Sequence, residues 1–137
     1  MLARSHELVA YARLGTVGRA AVEAAYWHEG LAFEYFAHAA CVLPIALWPW
    51  FAFRRRAWQV RTEAGAIEGG IADAQRAIPQ AAEAEVRARL ADGPITVGDV
   101  GRGRSSPGWW NWSEAKLALE LLYLRGEAVC VTRNGWK

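Results

Sequence analysis

A carboxylate inside an apolar run is the first feature of this sequence with the means to do chemistry. Glu34 stands between Phe33 and Tyr35, with His38 shortly after it and His6 near the chain start. A carboxylate, a phenol and an imidazole within hydrogen-bond reach of one another could wall a cleft and steer a water or a proton. The plainer arrangement is a buried structural network in which His6 or an arginine satisfies Glu34, and residue type alone favours it. His6 and His38 read as ordinary hydrogen-bonded histidines unless a catalytic motif lies beside them. His28, next to Glu29 at a helix end, reads as surface. Cys41 and Cys130 show no ligand spacing and read as reduced, buried cysteines of a cytosolic protein. No metal and no other cofactor is expected.

The second group is basic. Arg54, Arg55, Arg56 and Arg61 have no acid among them until Glu63, and Trp48, Trp50, Phe51, Phe53 and Trp58 are interleaved with them or precede them. Such a run is either a phosphate-contacting patch, with rings that help hold a distorted duplex, or a solvated charge run. Arg102 and Arg104 lie in the acid-free loop Gly101–Gly108, beside Trp109, Trp110 and Trp112. A pliable backbone carrying arginine suits phosphate contact, while the three tryptophans more naturally pack the start of the next helix. The net charge of +2 is too small to imply nucleic acid by itself, so any basic footprint must be local.

These groups need elements to hold them. An apolar fraction of 53% over 137 residues suits one domain or two small modules and argues against disorder. Eight tryptophans are many for this length; they fill an aromatic core, or some of them face a partner or another part of a larger protein. Residues 2–14 predict a helix with Leu8, Val9 and Ala12 on its apolar face and Gly15 as its stop. Gly18 opens a second helix over 20–28, with Val22, Ala25 and Tyr26 inward and Gly30 at its end. Leu31, Phe33 and Tyr35 alternate like a strand, whereas Ala37–Leu43 is helical in composition and Pro44 closes it. A glycine-weakened helix with Ile67, Ile71, Ala74 and Ile78 on one stripe ends at Pro79, and its glycines make the best module boundary.

The C-terminal half reads more clearly. Ala81–Ala91 is a helix with Glu83–Arg87 and Glu85–Arg89 in the favourable order and Val86 and Leu90 inward. Asp92-Gly93-Pro94 stops it, Ile95 suits a short strand, and Thr96 with Asp99 makes a capping box for one or two helical turns. Helix 113–125 has Ser113 as its N-cap and Gly126 as its left-handed stop. Its leucines and alanines occupy two faces, leaving a narrow polar strip of Ser113, Lys116, Glu120 and Tyr123. A helix that reads base edges offers Arg, Asn, Gln or Lys, so this one is expected to be packed on both sides, with little sequence-specific readout. Then come β-branched residues around Val129–Arg133 and the hairpin dipeptide Asn134-Gly135. The order helix, short strand, helix, loop, helix, hairpin is that of a winged helix-turn-helix.

Further motifs point to a family. His6-Glu7-Leu8 with Ala12-Arg13-Leu14-Gly15, then Phe33-Glu34-Tyr35-Phe36-Ala37-His38-Ala39-Ala40, Leu43-Pro44 and Leu47-Trp48-Pro49, resemble the YcaQ/AlkZ family of winged-helix DNA glycosylases. Gly93-Pro94-Ile95-Thr96, Trp109-Trp110-Asn111-Trp112-Ser113 and Leu122-Tyr123-Leu124-Arg125-Gly126-Glu127 continue the resemblance in order. It departs at Thr16-Val17, where the family tends to have Pro-Tyr, and over residues 64–78. The resemblance implies tandem winged helices around a positively charged channel and removal of N7-alkylated guanines, including those in interstrand crosslinks. It also implies a catalytic Gln-x-Gln or Gln-x-Asp motif upstream of His-x-Leu. Here His6-Glu7-Leu8 is the His-x-Leu match, so that motif is expected before Met1; Gln59, Gln75 and Gln80 are followed by residues that do not fit it.

The expectation is therefore a mainly α (α+β) chain. Residues 1–79 form a helical, aromatic segment of the glycosylase core, and residues 80–137 a winged helix-turn-helix domain with a truncated wing hairpin. As an incomplete family member, it is expected to bind double-stranded DNA through Arg54, Arg55, Arg56, Arg102, Arg104, Lys116 and Arg133. No catalytic residue is assigned; His6, Glu34, Tyr35 and His38 are cleft candidates. The missing parts of a full-length protein are a further expected partner, and the location is cytoplasmic, on the nucleoid. One alternative is a non-enzymatic winged-helix transcriptional regulator with a defined operator. Another is a small membrane protein centred on Phe36–Phe53, which carries no Asp, Glu, Lys or Arg; Pro44, Pro49 and His38 argue against it.

Overall fold

The computed structural model describes residues 5–27, 30–38, 40–63, 78, 80–100 and 113–133, with the backbone alone for 5, 6 and 63. The described residues are mostly helical, with one two-stranded antiparallel sheet, which agrees with the α+β expectation. The chain divides into two compact units, Met1–Ala52 with Val129–Lys137, and Phe53–Ala128. The boundary expected between residues 79 and 80 adjoins residues outside the description.

In the first unit, α1 (Ser5–Leu14) ends where Gly15 turns left-handed at φ +78° and donates its N–H to Tyr11 O. The apolar face expected of α1 is not a buried one: Leu8 and Val9 are 53% and 50% exposed, and Ala12 is exposed too. Glu7 is the buried residue instead, and Arg19 of α2 (Arg19–Trp27) reaches it at 3.1 Å. Arg19 also pairs with Glu23 at 2.9 Å. A charged contact therefore joins these helices, which is why periodicity misplaced the inner face. On α2, Val22 is buried and Tyr26 half-buried as expected, but Ala25 is exposed.

Strand β1 (Ala32–Phe36) follows the alternation read from the sequence. The helical reading of Ala37–Leu43 does not hold: Ala40–Pro44 is strand β2, antiparallel to β1 with Phe33 opposite Leu43 and Tyr35 opposite Cys41. Alanine-rich composition favours a helix only when no neighbour offers a ladder. Here β1 does, and the turn between the strands is too short for a helix. Phe33 and Tyr35 lie on one face of β1 and meet Trp48 and Phe51 at ring-centroid distances of 5.0 Å (Phe33–Trp48) and 5.9 Å (Tyr35–Phe51), nearly edge-on. Two 3₁₀ turns, Ile45–Leu47 and Pro49–Phe51, bring those two rings under the strand.

In the second unit, α3 (Ala52–Glu63), α4 (Gln80–Asp92) and α5 (Glu114–Arg125) are the described helices. Their core is Val86 of α4, Val100, and Ala118 and Leu122 of α5, with Ile78, Leu90, Ile95, Ala115, Leu119 and Ala128 around it. The paired carboxylates and arginines of α4 form as expected, Glu83–Arg87 at 2.8 Å and Glu85–Arg89 at 3.1 Å. Ile95 makes no strand among the described residues; its side chain packs on the core, and a turn over residues 97–100 follows.

The helical turns expected after Thr96 are a turn only, and of the capping box the Asp99 half forms. The Asp99 carboxylate accepts from Thr96 N at 2.6 Å and from Thr96 Oγ1 at 2.7 Å. Hydrogen bonding by the Thr96 hydroxyl, then by its backbone N–H, with Arg89 nearby, holds the Asp99 carboxyl below the usual aspartate range. Because the folded value lies below the unfolded one, this contribution to stability is present above the ordinary aspartate pKa. It is lost as pH falls through the folded value. We expect Thr96→Ala to move the Asp99 titration upward, followed through the carboxyl carbon by NMR; an unmoved midpoint would remove the hydroxyl as the main cause.

Both ends of α5 match the sequence reading. Ser113 Oγ accepts from Lys116 N at 3.2 Å, and Gly126 is left-handed at φ +75°. The Gly126 N–H bonds Tyr123 O and the Glu127 N–H bonds Leu122 O at 2.8 Å, the paired bonds of a Schellman turn. Leu117, Ala118, Leu121, Leu122 and Leu124 are buried, so α5 is packed on more than one face.

Of the winged-helix order, α4, the turn over 97–100 and α5 are visible. The loop Gly101–Gly108, the tryptophans at 109, 110 and 112, the glycine-weakened helix and Asn134-Gly135 lie outside the described residues. The stretch Phe36–Phe53 is divided among a hairpin, two 3₁₀ turns and the start of α3. Among the described residues, no helix is long and apolar enough to cross a membrane.

Candidate functional site

Glu34 sits on the face of β1 opposite the aromatic cluster and is 7% exposed. On the edge of β1 away from β2, the segment around Cys130 runs antiparallel, bridged among the described residues between Glu34 and Cys130. That segment carries Arg133, whose Nε donates to Glu34 Oε2 at 3.0 Å while its Nη2 donates to Oε1. The fork of the guanidinium thus meets both carboxylate oxygens. This is the buried network that residue type favoured, with an arginine as the partner. Its other half could not be picked out from the sequence, because 99 residues separate the two.

Neither Tyr35 nor His38 joins Glu34 in this pair. Tyr35 points to the opposite face, 1% exposed within the aromatic cluster. His38 is exposed in the hairpin turn, and for His6 only the backbone in α1 is described. Among the described residues, no group of three or more His, Cys, Asp or Glu is arranged to hold a metal.

The basic residues fall into two kinds, those already engaged and those not. Arg133 is bound to Glu34, and Lys116 is paired with Glu120 one turn along α5 at 2.9 Å. Arg55 lies against Gly126, where any β-carbon would run into its side chain. Arg54, Arg56 and Arg61, all on α3, make no ion pair with another described residue; Arg56 and Arg61 are exposed and Arg54 half-buried. Arg102 and Arg104 lie outside the description.

Sequence reasoning missed the group that sets the orientation of α3. Arg125, at the end of α5, donates Nε to Thr62 Oγ1 of α3 at 2.9 Å and Nη1 to Glu83 of α4 at 3.0 Å. Glu83 also holds Arg87, and Arg87 pairs with Glu127 just past the Schellman turn. These hydrogen bonds lift the Arg87 pKa, Glu127 contributing most and Glu83 next. One arginine thereby ties three helices. The only sign in the sequence was a basic residue at a helix C-terminus, which suits the helix dipole and says nothing of distant partners. On α3, Arg55 and Thr62 therefore face α5, and the opposite side of the helix is turned outward.

Neither a comparison with curated proteins nor one with solved structures returns a match. The family model described as DNA glycosylase AlkZ-like matches residues 2–137, spanning both units and the motifs that carried the resemblance. The chain therefore belongs to the DNA glycosylase AlkZ-like family.

Proposed function

We propose that this chain is a winged-helix DNA-binding scaffold of the AlkZ-like type, which grips duplex DNA through phosphate contacts and does not itself excise a base. The family is one of DNA glycosylases, so DNA is its substrate class and base-excision repair its setting. The observation that carries the binding half is α3: Arg54, Arg56 and Arg61 have no ion pair with another described residue, on a helix without an acid before Glu63. Arg102 and Arg104, in the glycine-rich stretch 101–108 of the sequence, are read as adding to the footprint. Arg55, Lys116 and Arg133 contribute less, since each is already held by its own unit. The α4–turn–α5 order and the two-sided packing of α5 support a winged helix that uses its surroundings, not a reading helix, on DNA.

The non-catalytic half rests on chemistry. An N7-alkylguanine is already cationic and leaves readily, so the protein's task is to stabilise the sugar cation and position a water on it. That takes a carboxylate or amide within hydrogen-bond reach of the water. No Gln-x-Gln or Gln-x-Asp occurs in these 137 residues. The best-placed carboxylate, Glu34, is buried and bound to Arg133.

Two measurements test the reading. Incubation with duplex containing N7-methylguanine should yield no abasic sites above a protein-free blank; a clear excess would overturn the non-catalytic half. Binding to an intact duplex should weaken steeply with salt. Replacing Arg54, Arg56 and Arg61 together by alanine should flatten that dependence. Each phosphate contact steepens the fall of log K against log salt by about 0.9, so between about 50 and 200 mM salt the native chain should lose roughly 40-fold more affinity than the variant. Equal slopes would remove α3 from the interface.

A further inference from the structure

We propose that a hollow between α2 and the segment that bridges β1 is a binding site for a primary alkylammonium group. Ala20, Glu23, Ala24 and Trp27 follow one another at helical spacing, so they share one face of α2. Together with Thr132 they line a cavity of about 250 Å³ within the first unit. The space has a cause in the sequence. Ala20 and Ala24 end at a methyl group, while Glu23 and Trp27 beside them are long enough to form walls.

The lining selects the ligand. Glu23 gives Oε1 to Arg19 at 2.9 Å, and its Oε2 has no hydrogen-bond partner among the described residues. Arg19 is shared with Glu7 at 3.1 Å, so one guanidinium serves two carboxylates. The Thr132 hydroxyl makes no hydrogen bond among the described residues, while its carbonyl accepts from Cys130 Sγ. Trp27 has no ring contact with another described residue. A carboxylate oxygen, a hydroxyl and an indole together suit a donor-rich cation on a short apolar stem. An anion would meet Glu23 and find no basic residue in the lining. A metal ion would find a single carboxylate, and no metal-holding group occurs among the described residues. A guanidinium pairs best with both oxygens of a carboxylate, and Oε1 is already taken. An ammonium fits: its N–H groups reach Oε2, the hydroxyl and water, and its methylenes lie along Trp27 and the two alanines. The same group ends a lysine side chain and a free polyamine.

The test titrates the full chain with n-butylammonium chloride and follows the indole N–H signal of Trp27 by NMR, assigned through Trp27→Phe. Saturation is expected with a dissociation constant of about 1 mM, the range open to so small a ligand. Butan-1-ol, of the same shape without the charge, should bind about tenfold more weakly, as should n-butylammonium to Glu23→Gln. Ala24→Leu fills the hollow without touching a charge; it should abolish binding and leave the helical circular dichroism unchanged. Spermidine and N-acetyl-lysine methylamide then separate the two sources. Tighter spermidine binding assigns the site to a free polyamine, and tighter binding of the lysine analogue assigns it to a partner's side chain. No saturation by about 50 mM n-butylammonium would overturn the inference. So would binding that survives both Glu23→Gln and Ala24→Leu, and either result leaves the DNA-binding reading intact.

Discussion

Leu122→Ala should lower the unfolding free energy of the Phe53–Ala128 unit by about 3–5 kcal/mol, the largest effect expected from any single change in this chain. Leu122 is 1% exposed and lies in the cluster formed with Val86, Val100 and Ala118. Truncation removes the burial of the leucine side chain and leaves a void that neighbours from two elements can close only in part. Val86 and Ala118 are themselves fully buried, so they have little freedom to move inward. Leu122 O also accepts the closing bond of the Schellman turn, so disorder at this position loosens the helix end as well. A domain of this size has about 5–15 kcal/mol in total, so the variant should sit near its melting transition at ordinary temperature. Chemical denaturation against Val97→Ala, at a position 41% exposed, is the direct check. A loss of less than about 1 kcal/mol for Leu122→Ala would mean that the core is not closed where it is drawn.

Arg133→Ala should be the second-largest, costing about 2–3 kcal/mol. The Glu34 side chain is 9% exposed and that of Arg133 36%, so the pair is half shielded from water, and a fully buried value would be too high. Removing the arginine leaves a carboxylate in the interior without the fork that met both of its oxygens. Removing both charges together, as Glu34→Gln with Arg133→Ala, should recover about half of the loss, because an amide is far cheaper to bury than a carboxylate. Hydrogen exchange at the amides of β1 reports the change locally, where the segment carrying Cys130 bridges the strand. If Arg133→Ala leaves those amides as slow as in the native chain, the pair does not hold the segment to the sheet.

Features governed by local chemistry were legible in the sequence. Ser113, Gly126 and the two spaced pairs of α4 each act within one turn of helix, and each formed where its residue type predicted. The two-sided packing of α5 was legible as well, since leucines spread around a helix leave no face for water. The failures have one origin, contacts made with another element and not within the element itself. Ala37–Leu43 looked helical until β1 supplied a ladder for it. The apolar face of α1 was drawn from periodicity, whereas the contact with α2 is the Glu7–Arg19 pair. For the candidate site, residue types identified Glu34 as a buried carboxylate needing a cation. Topology supplies Arg133, which residue type alone offers equally as a DNA contact. No periodic pattern announces Arg125, because its partners come from two other helices.

The sequence separation of 99 between Glu34 and Arg133 also sets a timetable. A ribosome adding roughly 5–20 residues each second makes the carboxylate roughly 5–20 seconds before its guanidinium. Within that interval the whole of Phe53–Ala128 is synthesised, a unit whose core draws only on its own residues. It is free to fold while the hairpin upstream still waits with one strand edge open and a carboxylate in water. The hairpin, translated before the inserted unit, is therefore completed after it, and a stalled ribosome would display a folded module while the edge of the sheet is still unclosed.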